Sequence, residues 1–208
     1  MSIDDYELFI FDWDGTLSTS TFIVQVSNLI RHRYRKGHIE KHKEEYISRA
    51  ERRMKSSAWR NEVYAFLYDL YSAVFVPRLK PNSIEILDLL RKRKKKVAIF
   101  SDSESYRLMQ EARQLKVLDH VDFILSASSI GYYKPNPTGL MLIADKYRIP
   151  KKRCIYIGDM PTDVITAKFA GMTSCAVGDG LAPYVSLKEA GPNYIYRSIG
   201  QMLREISS

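Results

Sequence analysis

Four short stretches of the 208-residue chain carry side chains that can do chemistry. The first is Phe11-Asp12-Trp13-Asp14-Gly15-Thr16, directly after the apolar run Leu8-Phe-Ile-Phe11. Side chains two apart on an extended chain project to the same side, so Asp12 and Asp14 are expected to share one face. Gly15 permits the sharp turn that follows. The second stretch, Phe100-Ser101-Asp102-Ser103, also follows an apolar strand candidate. Ser101 and Glu104 have the spacing of a capping box, so helix capping explains that serine as well as chemistry does. The third, Tyr133-Lys134-Pro135-Asn136-Pro137, holds a lysine in a proline-stiffened loop ahead of a helix. The fourth, Ile157-Gly158-Asp159-Met160-Pro161-Thr162-Asp163, ends an apolar strand in Gly-Asp. Its second carboxylate, Asp163, is also well placed to cap a helix.

Singly, each stretch is explained by a turn, a cap or a solvated lysine. Jointly, they gather Asp12, Asp14, Asp159 and Asp163 with the Ser101 hydroxyl and the Lys134 ammonium at one end of a parallel sheet. Open parallel sheets bind ligands there, outside the carboxyl ends of their strands. Clustered carboxylates repel one another unless a cation neutralises them, and an all-oxygen donor set without histidine suits Mg²⁺. A metal, a lysine and a helix N-terminus together make an anion site fit for phosphate.

The elements that must position these groups are legible as strand-helix alternation. From residue 80 onward the strand candidates are Val97–Phe100, Phe123–Leu125, Ile155–Ile157 and Ser174–Val177. Helical stretches lie between them: one runs to about Leu115, one passes through Leu140–Ala144, and one covers Val164–Ala170 and is stopped by Gly171. An amphipathic helix from Ile199 to Ile206 ends the pattern. Such alternation argues an α/β fold, a doubly wound parallel sheet covered by helices on both faces. Residues 18–79 break the pattern. They read as helices, with Phe22, Val26, Leu29 and Ile30 on one face and Val63, Phe66, Leu67 and Leu70 on another. The expected organisation is therefore a core domain of residues 1–17 and 80–208 with an all-helical domain, 18–79, inserted after the first strand.

In the order and spacing of these motifs the chain resembles the haloacid dehalogenase superfamily, whose core is Rossmann-like. Asp12-Trp-Asp14-Gly-Thr16 matches its first motif, Ser101 the second, Lys134 the third and Gly158-Asp159-x-x-x-Asp163 the fourth. The helical insertion looks like the cap of the phosphoglycolate phosphatase and β-phosphoglucomutase branch. The resemblance implies that Asp12 is a nucleophile forming an aspartyl-phosphate and that Asp14 handles the leaving-group and water protons. It implies that the carboxylates of Asp12 and Asp159 and the backbone carbonyl of Asp14 hold Mg²⁺. Ser101 and Lys134 then bind the phosphoryl group, and Asp163 supports the metal site from behind. An acid at Asp14 favours phosphate-ester over dehalogenase chemistry. The chain departs from many relatives at Asp102, an anion after the second-motif hydroxyl; it is expected to turn away and cap the following helix.

The motifs leave phosphatase and phosphomutase both open, with a small phosphorylated metabolite as partner in either case. A net charge of +8 and a pI near 9.4 raise the further alternative of a non-catalytic, nucleic-acid-binding relative. Retention of both Asp12 and Asp14 argues against it. No run approaches the roughly 20 apolar residues of a membrane span. The acidic start Met1-Ser-Ile-Asp-Asp5 is unlike a signal peptide, so a cytoplasmic location is expected. Cys154 and Cys175 sit in apolar runs without metal-ligand spacing and read as buried strand thiols.

Overall fold

The computed structural model describes residues 1–19 and 77–207. Its strands are β1 (Leu8–Phe11), β2 (Ser18–Thr19), β3 (Arg78–Leu79), β4 (Lys96–Ser101), β5 (Phe123–Ser126), β6 (Cys154–Gly158), β7 (Thr173–Val177) and β8 (Tyr194–Tyr196). The helices are α1 (Ser83–Lys92), α2 (Ser105–Gln114), α3 (Ala127–Ile130), α4 (Thr138–Tyr147), α5 (Pro161–Ala170), α6 (Tyr184–Glu189) and α7 (Ile199–Ser207). Six strands form one parallel sheet in the order β5-β4-β1-β6-β7-β8.

Period-two alternation divides the core. Phe9 and Phe11 of β1 join Ile99 and Ile157 on one face, under Ile86 and Leu90 of α1 and Met202 of α7. Leu8 and Ile10 join Ala98 and Tyr156 on the other, under Leu140 and Ile143 of α4 and Ala167 of α5. All four residues of β1 are fully buried, which is why the strand reads as an unbroken apolar run. The expected doubly wound sheet is present, and the first strand and the strands and helices read from residue 80 onward fall within a few residues of their expected places. Both cysteines are free and buried; burial pushes the Cys154 thiol up to about 12, out of reach as a thiolate nucleophile near neutral pH.

The chain winds from β1 to β4 and β5 on one side, then crosses to β6, β7 and β8 on the other. β1 is thus the switch point, and the crevice at its carboxyl end is where such sheets bind ligands. Phe11 pairs in register with both Ile99 and Ile157. The residues that follow in each strand, leading to Asp12, Ser101 and Asp159, therefore emerge together. The inserted segment opens at β2 and closes at β3, which pair antiparallel through Ser18↔Leu79 and Thr19↔Arg78. The helices expected between them, with their apolar faces, lie outside the described residues.

Candidate active site

The Asp12 backbone continues the β1–β6 ladder by donating to the Ile157 carbonyl at 2.8 Å, which fixes the side chain just beyond the sheet edge. Asp12 is buried, and the Lys134 ammonium lies 3.0 Å from its Oδ1. That ion pair lacks hydrogen-bond alignment, so among the described residues Oδ1 is a buried oxygen with no directed donor. Lys134 aims instead at Asp163 Oδ1, to which it donates at 2.7 Å. The Tyr156 hydroxyl lies 3.1 Å from the Phe100 carbonyl and 3.2 Å from the same Asp163 oxygen. It can donate to either and so links the end of β4 to the start of α5.

Asp163 does two jobs. Its Oδ2 accepts from the Met160 N–H at 2.9 Å, satisfying a free donor at the head of α5, while Oδ1 faces Lys134. The carboxylate thus serves the helix end and faces Lys134 at the same time. Asp159 is fully buried; its Oδ1 accepts from the Thr16 hydroxyl at 3.0 Å and its Oδ2 from the Leu181 N–H at 2.6 Å. A Cβ at Gly15 would stand 2.3 Å from Asp159 Oδ2, and one at Gly180 2.2 Å from its Cβ. Only glycine lets these two loops close over the carboxylate.

Ligand atoms from Asp12, Asp159 and Asp163 all lie within 4.8 Å of one another. Burial pushes the Asp159 carboxyl up to about 7, with the charge of Asp163 adding to it and the Leu181 and Thr16 hydrogen bonds opposing it. Burial likewise raises Asp12 well above the carboxylate range, against the pull of Lys134. Burial would lower Lys134, yet the charges of Asp12 and Asp163 outweigh it and raise the ammonium. Three buried carboxylates against one ammonium leave two negative charges uncompensated when all are ionised. With the orphaned Asp12 oxygen, that is the donor set and the charge a hard divalent cation fits.

Asp14 stands apart from this cluster. Its Oδ2 accepts from the Ser103 hydroxyl and from Arg107 Nη2. The Ser101 hydroxyl donates to Ser103 Oγ at 2.9 Å and accepts from the Ser103 N–H at 3.1 Å. Two sequence expectations are corrected here. Glu104, not Ser101, is the N-cap of α2, and its carboxylate takes the Tyr106 and Arg107 N–H groups at 2.7 and 3.3 Å. Asp102 is not that N-cap. It reaches across to the third motif, where its Oδ1 accepts from the Lys134 backbone N–H at 2.9 Å.

Sequence reasoning missed Ser103, Arg107, Tyr156 and Lys80. Lys80 donates to the Gly15 and Asp179 carbonyls at 3.0 and 2.8 Å and pairs with the Asp179 carboxylate at 2.6 Å. It ties the loop after β1 to the loop that covers Asp159. A lysine before Pro81 gives no local sign of that role.

The haloacid dehalogenase-like hydrolase family matches residues 9–177, and the chain belongs to that family. The chain is 23% identical over 207 residues to a protein provisionally named pyrophosphatase PpaX from Caldanaerobacter subterraneus subsp. tengcongensis, covering 95% of this chain and 93% of that one. It is 24% identical over 129 residues to phosphoglycolate phosphatase of Haemophilus influenzae, 62% of this chain but only 57% of that protein's length. Among solved structures, a hydrolase from Pseudomonas syringae superposes with a TM-score of 0.70 at 20% identity, covering 97% of this chain and 98% of that one. A protein from Thermotoga maritima, provisionally named a β-phosphoglucomutase, superposes at 0.68 with 20% identity and the same coverage. These structural likenesses show the fold. No helix among the described residues is long and apolar enough to cross a membrane.

Proposed function

We propose that the protein is a Mg²⁺-dependent phosphatase that hydrolyses a small phosphorylated metabolite through an aspartyl-phosphate on Asp12. The observation that carries this reading is the Asp12 carboxylate itself, buried at the switch point of the sheet, flanked by Lys134, and with no aligned donor to Oδ1 among the described residues. An Asp12 oxygen attacks phosphorus as the bond to the ester oxygen breaks, and Asp14 gives the departing oxygen its proton. A water then attacks the aspartyl-phosphate, Asp14 takes that water's proton, and the Asp12 carboxylate is released with inorganic phosphate. Splitting one hard displacement into two easier ones is the gain of covalent catalysis. Lys134, steered by Asp163, and the Ser101 hydroxyl, turned from Ser103, bind the phosphoryl oxygens. Asp12 and Asp159, with the backbone carbonyl of Asp14, would hold Mg²⁺, which supplies charge neutralisation to the carboxylates and the phosphoryl group; Asp163 supports this set from behind.

The names carried by the relatives define the assay. Phosphoglycolate, inorganic pyrophosphate, sugar phosphates and an aryl phosphate are offered with Mg²⁺, and phosphate release is measured without any bisphosphate activator. Release under those conditions is the expected result, and a strict requirement for a bisphosphate indicates a mutase instead. Asp12→Asn keeps the shape but not the nucleophile. It should lower turnover on the order of 10³-fold or more while thermal melting is preserved. Substantial retained activity would overturn the assignment of the nucleophile.

A further inference from the structure

We propose that Arg107 is a positioning residue that fixes the Asp14 carboxylate for proton transfer, an inference that rests on the reading of Asp14 as the proton-handling group. Ser103, Arg107 and Glu111 stand four residues apart at and along α2, and all three turn toward the loop that carries Asp12 and Asp14. Arg107 is buried, which is costly for a guanidinium unless carboxylates surround it. Glu111, on the next turn and equally buried, supplies one at 3.5 Å. The closer of the two contacts is nevertheless to Asp14 Oδ2. Glu111 meanwhile accepts the Trp13 indole N–H at 2.6 Å. One helix face thus grips the side chains of two successive loop residues, Trp13 and Asp14, immediately after the nucleophile.

The grip on Asp14 is directional. Arg107 Nη2 and the Ser103 hydroxyl both bind the same oxygen, Oδ2, and Arg107 Nη2 also donates to Ser103 Oγ. Three mutually bonded groups fix the plane of the carboxylate. They leave its other oxygen, Oδ1, as the one that exchanges a proton with the leaving group or the attacking water. A carboxylate freed from this triangle rotates about its terminal torsion and meets the reacting atoms in the right orientation only part of the time. Small misplacements of this kind cost rate far more than binding. In this scheme Arg107 acts on the reaction through Asp14, whose carboxylate it holds.

A double-mutant cycle on the full chain with Mg²⁺ and an aryl phosphate tests this. Arg107→Met should lower kcat by about 10- to 100-fold while KM stays within about two-fold, and Arg107→Lys should lose less. In an Asp14→Asn background, Arg107→Met should change kcat by no more than about two-fold, because the group it positions is gone. An equal loss in both backgrounds, or an effect on KM alone, overturns the proposal. If Asp14→Asn leaves kcat unchanged, the reading of Asp14 fails and this inference falls with it, whereas phosphate release that depends on Asp12 would still stand. Should Arg107→Met fail to fold because it strands Glu111, Ser103→Ala removes the neutral contact without exposing a buried charge. It must then show the same non-additivity with Asp14→Asn, and simple additivity sinks the idea.

Discussion

At the scale of single residues, Asp159 shows what holding a buried carboxylate costs. Its folded value of about 7 lies above its ordinary 3.8, chiefly because burial disfavours the charge. The sign follows directly. A carboxyl whose folded value is raised opposes folding once ionised, so the metal-free protein should lose stability as pH rises from about 4 toward 7. Asp12 shifts in the same direction. Melting in chelator should therefore occur at higher temperature near pH 5 than near pH 8, by about 2–4 °C for each kcal/mol involved. Added Mg²⁺ should recover most at the higher pH, where the carboxylates are ionised. Equal melting at both values, or no response to Mg²⁺, would contradict a carboxylate cluster built for a cation. Gly180→Ala probes the same residue from outside. With the new Cβ 2.2 Å from the Asp159 Cβ, the covering loop has to shift and the Leu181 N–H leaves Oδ2. The Mg²⁺ concentration for half-maximal activity should rise by roughly ten-fold, one charge-assisted hydrogen bond's worth.

At the scale of elements, the site depends on how the loop carrying Lys134 is fastened to the end of β4. Asp102 contributes to that fastening by accepting a hydrogen bond from the Lys134 N–H. An amide oxygen can accept it as a carboxylate does, so Asp102→Asn should leave kcat/KM near the parent value. Asp102→Ala, which lacks any acceptor, should lower kcat/KM by roughly 3- to 10-fold, one net hydrogen bond. If the two variants behave alike, Asp102 is not the anchor. This residue also marks where sequence reading stops. β1, β4 and β6 announce themselves because strands buried on both faces are unbroken apolar runs, and the motif residues sit at their ends. The Asp102–Lys134 and Asp14–Arg107 contacts join residues 32 and 93 positions apart, which no local pattern encodes. Arg107 and Glu111 are spaced like an ordinary exposed helix pair, so their burial becomes visible only when α2 is laid against the loop after β1. β8 escaped notice for a different reason: three residues, Tyr194–Tyr196, bounded by Asn193 and Arg197, carry too little period-two signal to stand out.

At the scale of the molecule, the +8 net charge has to be located before it can be given a role. One basic run, Arg91 to Lys96, joins the end of α1 to the start of β4, at the amino end of the strands, opposite the end that carries Asp12. Part of it is locally neutralised: Lys95 lies 3.7 Å from Asp4 and Lys96 lies 3.0 Å from Asp122. Basic residues at the end of a helix also suit its dipole, so this run has a structural reason to exist and is badly placed to guide a substrate. The second concentration is in residues 31–60, where eleven Lys and Arg against four Glu leave +7. This segment lies outside the described residues; in the sequence its acids recur at helical spacings from its bases, as Glu40 with Lys43 and Glu45 with Arg49, the pattern expected of a solvated face. Tyr34, Tyr46 and Trp59 are too far apart in sequence to make a base-stacking platform. A field of this kind raises the local concentration of small anions without binding them tightly, and salt screens it over a Debye length of about 8 Å at physiological ionic strength. The apparent affinity for a small phosphorylated substrate should therefore fall by roughly two- to five-fold between low and physiological salt, while kcat barely moves. Labelled single- and double-stranded oligonucleotides titrated at physiological salt provide the opposing measurement. A polyanion binding many of these side chains would release counterions, and its affinity would collapse steeply with salt. Submicromolar binding with that salt dependence would show that the charge serves a nucleic acid, not the anionic substrate of the site.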